Sequence, residues 1–336
     1  YILYTCFIRR YYMKNDKILV VPTWNDSIHN NAVWCANFQI AWNYFQYEIL
    51  YNDFICENMT ESIQNLISIG DIEDVLDNND CYKFADFYTT DAIAQIKSDL
   101  QNKFNETSKI IDKLPLPNTF PDDIKTILLY TFLKKCFEYE HTFDELKSGT
   151  FGNGKEHIDY FGITSKSSES LRLQVRVLFY NSKNDYAIMI TTKSKEEIIL
   201  YRNDENKSFN KTFQNMLLKS INNKDRTFQE DDTLKIPNIK FNIQKSYDEL
   251  KKSMFVRNAD DTPFEISEAI QNIEFEMDRN GGRVKSEAAI LISCTGLPFF
   301  KDTTKIRHFD FDDTFYLFML EKGKKDPYLA MRIEEL

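Results

Sequence analysis

"AIQNIEFEMDRNGG", residues 269–282, carries an alternation with one straightforward reading. Ile273, Phe275 and Met277 fall on one parity and Glu274, Glu276 and Asp278 on the other. This is the period of a strand with one face in a core and the other in water. The strand is predicted to end at Gly281 and Gly282, residues that punctuate regular structure. They lead into "GGRVKSEAAILISCTG" (281–296), where a burst of charge gives way to small and apolar side chains. That stretch fits a surface strand with its turn, or an exposed segment made to be cut.

More strands flank this one. In "LRLQVRVLFY" (171–180), Leu171, Leu173, Val175, Val177 and Phe179 share a parity against Arg172, Gln174 and Arg176, which predicts a half-buried strand. "DYAIMITTK" (185–193) and "EIILYR" (197–202) continue the sheet. "TLKIPNIKFNI" (233–243) is predicted as strand interrupted at Pro237, which suits an edge or a bend. "TFYLFMLE" (314–321) and "PYLAMRI" (327–333) close the chain, joined through "KGKKD" as a hairpin or short connection. Toward the N-terminus the period changes. Residues 31–50 repeat apolar side chains at three and four and are predicted as one buried helix. "SIQNLISIG" (62–70), stopped by Gly70, the threonine-capped "TTDAIAQIKSDLQNKFN" (89–105) and "FNKTFQNMLLKSI" (209–221) are the other helices. The sum is an α+β fold in one domain over residues 1–336, with helices concentrated in the N-terminal third.

Composition sets bounds on function. With 336 residues and 42% hydrophobic content the chain can bury a large core, and only 9 Gly and 8 Pro leave few flexible linkers. A net charge of −10 with no basic stripe repels phosphate backbones, so nucleic acid is not an expected partner. Apolar runs such as "TILLYTFL" (126–133) fall short of the roughly 20 residues of a bilayer span, so no membrane span is expected. The start at Tyr1 reads as processed or trimmed, which leaves secretion and the cytoplasm both open. Cys6, Cys35, Cys56, Cys81, Cys136 and Cys294 show no C-x-x-C spacing and read as buried thiols, not as zinc ligands or a redox pair. Sequons at Asn25, Asn58, Asn105, Asn206 and Asn210 are no more than such a composition produces by chance.

Catalytic patterns are weak. "GTFGNGKE" (149–156) nearly spells a phosphate-cradling loop, but Glu156 stands where the magnesium-binding hydroxyl belongs, so a turn between strands is expected. His29, His141, His157 and His308 have no metal-ligand spacing. "HFDFDD" (308–313) gathers three carboxylates and reads as an acidic loop, with weak calcium binding or paired acid-base work as the sharper alternative. No nucleophile elbow, zinc-protease helix or Cys-His pair is present. Neither an enzyme nor a cofactor or metal is expected.

Three stretches together resemble the serpin family. "ISEAIQNIEFEMDRNGG" (266–282) is similar to the run that opens on Leu/Ile-Ser, ends in an acidic turn and delivers glycine to the reactive-loop hinge. "LKIPNIKFNIQKSYDELKKSMF" (234–255) resembles the family's L-P-K strand followed by Y-D-L and a helix. "DDTFYLFMLEKGKKDPYLAMRIEEL" (312–336) resembles its final strand pair. The first third departs from the pattern. "NAVWCANFQIAW" (31–42) carries Cys35, Ala36 and Phe38 where serpins have N-x-x-x-S-P-x-S-I; Gln271 replaces a common histidine; and the breach tryptophan falls at Cys136 or Phe137.

The resemblance implies several mostly antiparallel sheets, an exposed reactive-centre loop over about 281–308, and a monomer that traps a target serine or cysteine protease as a suicide substrate. The loop is cut and then slides into a sheet as a new strand. Gly281, Gly282, Val284, Ser286 and Ala288 would form the hinge. If Gly282 points inward, the even positions through Cys294 follow it and Arg283, Lys285 and Glu287 all face water, so no charge is buried. Thr295, Phe299, Phe300 and Lys301 are candidates for the bait bond, whereas Leu297 precedes Pro298. "LPFFKD" (297–302) reads equally as an apolar loop packed on the body. Bulky Val284 and Ile290 would slow insertion, so a non-inhibitory binding or structural protein of the same fold is the alternative.

Overall fold

The computed structural model describes residues 13, 17–70, 75–76, 81–108, 111–115, 117, 125–133, 135–223, 226–251, 253–283 and 306–336. First come β1 (Ile18–Val20), β2 (Asn31–Cys35), α1 (Ala36–Tyr44) with a π-helical continuation over Phe45–Ile49, and β3 (Phe54–Glu57). They are followed by α2 (Glu61–Ser68), β4 (Cys81–Phe87), α3 (Thr90–Phe104), β5 (Lys125–Leu133), β6 (Cys136–Glu138), β7 (Asp144–Gly149) and β8 (Ile158–Ile163). The short α4 (Glu169–Leu173) precedes β9 (Val175–Ser182), β10 (Asp185–Thr191), β11 (Glu196–Arg202), α5 (Phe209–Ile221) and β12 (Thr233–Pro237). Last are β13 (Ile239–Ser246), β14 (Met254–Arg257), β15 (Thr262–Asp278), β16 (Gly281–Arg283), β17 (His308–Asp310), β18 (Phe315–Glu321) and β19 (Leu329–Ile333).

Among the described residues three sheets form, mostly antiparallel. The first runs β1-β2-β19-β18-β11-β10-β9, and the second runs β17-β12-β8-β7. The third is organised by the long β15, flanked by antiparallel β13 on one side and by parallel β5, then β4, on the other. Side chains of β5 alternate between two cores. Ile127 and Leu129 join the main core, while Leu128 and Tyr130 meet Ile96, Leu100 and Phe104 of α3, which covers the β4–β5 face. Helix α3 follows its sequence signals: Thr89 Oγ1 accepts from Ala92 N at 3.0 Å, and Asn105 ends it in the left-handed conformation. Both α2 and α5 are likewise capped, by Thr60 and Ser208.

Several expectations are corrected. Residues 31–50 are not one helix, because Asn31–Cys35 form the strand between β1 and β19. That segment is buried on every side, and an apolar run without a wet face suits an inner strand as well as a helix. Within 171–180 the strand begins only at Val175. Residues Glu169–Leu173 are helical because the buried Arg172 guanidinium donates to the carbonyls of Thr164, Ser167, Ser168 and Glu230, which leaves Leu173 62% exposed. The long strand stops at Asp278, not at the glycines, which open the returning β16. Pro237 marks a bend: β12 lies between β17 and β8, and the chain crosses at Asn238 into the third sheet. The hairpin expected of β18 and β19 forms in register, Phe315 opposite Ile333.

Candidate functional site

At the end of β15 the chain turns through Arg279 and Asn280, where Asn280 N donates to Asp278 Oδ1 at 2.7 Å. It returns as β16, which lies between β15 and β6. Gly281, Gly282 and Arg283 face Asp278, Met277 and Glu276 on one side and Glu138, Phe137 and Cys136 on the other. Residues opposite each other in an antiparallel ladder share a face. Because Met277 and Phe137 are both buried, position 282 belongs to the core side. Its lack of a side chain is required there: a Cβ would stand 2.0 Å from two carbons of the Phe137 ring. At Gly281, with φ +146°, a Cβ would stand 2.2 Å from the Phe137 carbonyl oxygen.

Ahead of this short strand the third sheet is split. β5 and β15 pair in parallel from Lys125 and Phe264 up to Thr131 and Gln271, and no further. A narrow cleft of about 20 Å³, room for little more than a water, opens between them, lined by Leu133, Lys135, Ile273, Phe275 and, from below, Met319 and Tyr328. Where the strands part, Gln271 is fully buried. Its amide donates to Asn37 Oδ1 and to the Cys35 carbonyl, and its oxygen accepts from Tyr247 Oη. The Tyr247 phenol is buried and held far above its ordinary pKa by that burial. Opposite Gln271, the buried Thr131 hydroxyl has no hydrogen-bond partner among the described residues, and neither has that of Ser267 at a bulge in the same ladder.

Cys35, on the cleft wall, is 1% exposed, and burial pushes its thiol up to about 12. At pH 8 its thiolate fraction is then about a thousandfold below that of an exposed cysteine. Iodoacetamide should label Cys35 at least about a thousandfold more slowly in the folded protein than in urea. Peptide mapping checks this, and comparable rates would mean that the cleft wall opens readily.

Where the described chain resumes, at residue 306, it joins the second sheet. β17 pairs in parallel with β12, and just before it Arg307 makes a forked pair with Asp232, which is 1% exposed, with Nη2 to Oδ2 at 2.7 Å. Arg307 also donates to the Thr227 carbonyl at 2.7 Å. Of the sequence candidates, Gly281 and Gly282 therefore lie in the sheet at the mouth of the cleft. Val284, Ser286, Ala288, Thr295, Phe299, Phe300 and Lys301 lie outside the described residues.

Other motifs carry no reactive geometry. "GTFGNGKE" connects β7 to β8, and Gly152 N donates to the carbonyl of Asp312, so this loop faces an acidic segment that would repel phosphate. The carboxylates of "HFDFDD" are drawn apart: Asp312 pairs with Lys235 at 2.9 Å and Asp313 with Arg202 at 3.1 Å. Burial, then the Asp312 charge, raises the Asp310 pKa. Among the described residues no cluster of His, Cys, Asp and Glu has a metal-binding arrangement. Sequence reasoning named Phe137 as a breach position without the contact of its ring with Gly282, and missed Lys135 altogether. A lysine inside an apolar run was the available signal, but its partners are distant in sequence.

Comparison with solved structures decides the architecture. The chain matches a native-state thermophilic serpin, tengpin, over 93% of its own length and 91% of that chain, with a TM-score of 0.53 at 11% identity. The fold is serpin-like. Serpin48, a highly specific serpin of the insect Tenebrio molitor, matches over 92% and 93% of the two chains with a TM-score of 0.50 at 13% identity. Human thyroxine-binding globulin complexed with thyroxine matches over 90% and 91% with a TM-score of 0.50 at 12% identity. No protein-family model matches the sequence, and no curated protein does. In this serpin-like frame β15 and β5 are the strands that border the gap, and β16 occupies its mouth.

Proposed function

We propose that the protein inhibits a serine or cysteine protease as a suicide substrate, acting as a monomer and without catalysing a reaction itself. The observation that carries this reading is β16: three residues already paired with β15 on one edge and β6 on the other, next to the point where β5 and β15 cease to pair. They form the first rungs of a strand that only needs to lengthen. Gly281 and Gly282 serve as the hinge. Continuing the ladder sets Val284, Ser286 and Ala288 on the core face with Gly282, and Lys285 and Glu287 on the wet face. The protease nucleophile attacks a carbonyl within 295–303, the peptide C–N bond breaks, and the acyl-enzyme is carried along as the freed loop inserts. Thr295, Phe299, Phe300 and Lys301 are the bonds offered. The bulged β5–β15 ladder and its two unpartnered hydroxyls support a sheet that gains by rearranging.

A second reading, a binding protein of the same fold whose loop stays out, is favoured by one observation. Lys135, buried and charged, lines the cleft. The experiment that separates the two is incubation with chymotrypsin and with trypsin, followed by denaturing electrophoresis. An SDS-stable band is expected at the mass of the protease plus that of the chain up to the cut bond, the C-terminal fragment running separately. Cleavage within 295–303 that releases active protease and leaves no such band would overturn the inhibitory reading.

A further inference from the structure

Lys135, in the connection from β5 to β6, is 4% exposed, and a lysine in that position must have acid partners. Its Nζ donates to Glu196 Oε1 at 3.1 Å and to Glu321 Oε1, and it stands 5.0 Å from the centroid of the Tyr328 ring. Glu196 opens β11 and Glu321 closes β18, directly opposite each other in the first sheet. Both are buried, and the second oxygen of Glu196 accepts from Ser194 Oγ. One side chain at the head of β5 is therefore pinned to two neighbouring strands of a different sheet.

The pin sits at a decisive place. β16 runs antiparallel to β6 with Arg283 opposite Cys136 and to β15 with Arg283 opposite Glu276, so the next rung would set residue 284 between Lys135 and Phe275. Continuing the same register would set residue 288 between Thr131 and Gln271, so insertion from there on requires β5 to part from β15 along the ladder that ends at those residues. We propose that Lys135, Glu196 and Glu321 form a latch that holds the head of β5 on the first sheet and sets the rate at which the gap opens. Opening strains ion pairs shielded from water, and separating such charges leaves each of them buried without a partner. This inference rests on the insertion reading for its biological use, but not for its test.

The test is amide hydrogen exchange on the full, uncleaved chain. A neutral variant, Lys135→Met with Glu196→Gln and Glu321→Gln, keeps side-chain volume and removes all three charges together. Its amides in β5 and at 272–276 should exchange at least about tenfold faster than those of the parent. Lys135→Arg, which keeps the charge, should exchange like the parent. Unchanged exchange in the neutral variant, or equally fast exchange in the arginine variant, overturns the latch. Should the triple variant not fold, Glu321→Gln alone should accelerate the same amides about threefold, and no acceleration overturns the proposal. If loop cleavage then brings no rise in the thermal midpoint of any variant, the insertion reading fails while the exchange result still decides the latch.

Discussion

Cleavage of the loop between residues 295 and 303 should raise the thermal midpoint by at least about 15 °C. One kcal/mol moves the midpoint of a chain this large by only about 2–4 °C, so no ordinary local change accounts for such a gain. A new strand does. It pairs its backbone on both edges, β15 on one and β5–β6 on the other, and places its even-numbered side chains over the cleft that Leu133, Ile273 and Phe275 now line. Uncut, the segment is held at both ends, by β16 in the third sheet and by Arg307 on Asp232 next to the second. Cutting frees one end. Parity gives the control. Ala288→Arg puts a charge on the core face, where an unpaired charge costs several kcal/mol, and should abolish the gain. Lys285→Glu changes a wet position and should leave it intact. Differential scanning calorimetry before and after limited proteolysis reads all three; a gain that survives Ala288→Arg would rule out insertion in this register.

How far the sequence alone could reach follows from which forces act locally. The alternation of 273–278, the cap of α3, the helix of α5 and the β18–β19 pair are set by neighbours in the chain, and the structure has them where the sequence puts them. Residues 31–35 misled because the apolar pattern of a strand buried on both faces has no period to read. Residues 169–173 misled because one arginine, through four carbonyls, overrides an alternating pattern. At the site, both glycines could be read from the sequence as a break. What makes them necessary could not, since Phe137 reaches them across a gap of more than a hundred residues. The Gln271 amide network and the Lys135 ion pairs are likewise tertiary, joining residues that only folding brings together.

Gly281→Ala should lower stability by about 3–5 kcal/mol, the sum of a backbone conformation open essentially to glycine alone and of overpacking against a neighbouring strand. The φ of +146° supplies the first part; the second comes from a Cβ placed 2.2 Å from the Phe137 carbonyl oxygen and 2.8 Å from the Glu138 Cα. Neither obstacle can rotate away, because both are main chain of β6. Gly282→Ala meets mainly the end of the Phe137 ring and, at 2.9 Å, the Glu276 carbonyl oxygen, so about 1–3 kcal/mol is expected there. The two glycines are therefore separable by a double-mutant cycle with Phe137→Ala. Removing the ring should recover most of the cost of Gly282→Ala and almost none of the cost of Gly281→Ala, since the carbonyl and Cα of residue 137–138 remain. Urea unfolding with an unchanged m-value reads each difference. If Gly281→Ala costs less than about 1 kcal/mol, β16 is not seated between β15 and β6, and the primed strand on which the inhibitory reading depends is lost with it.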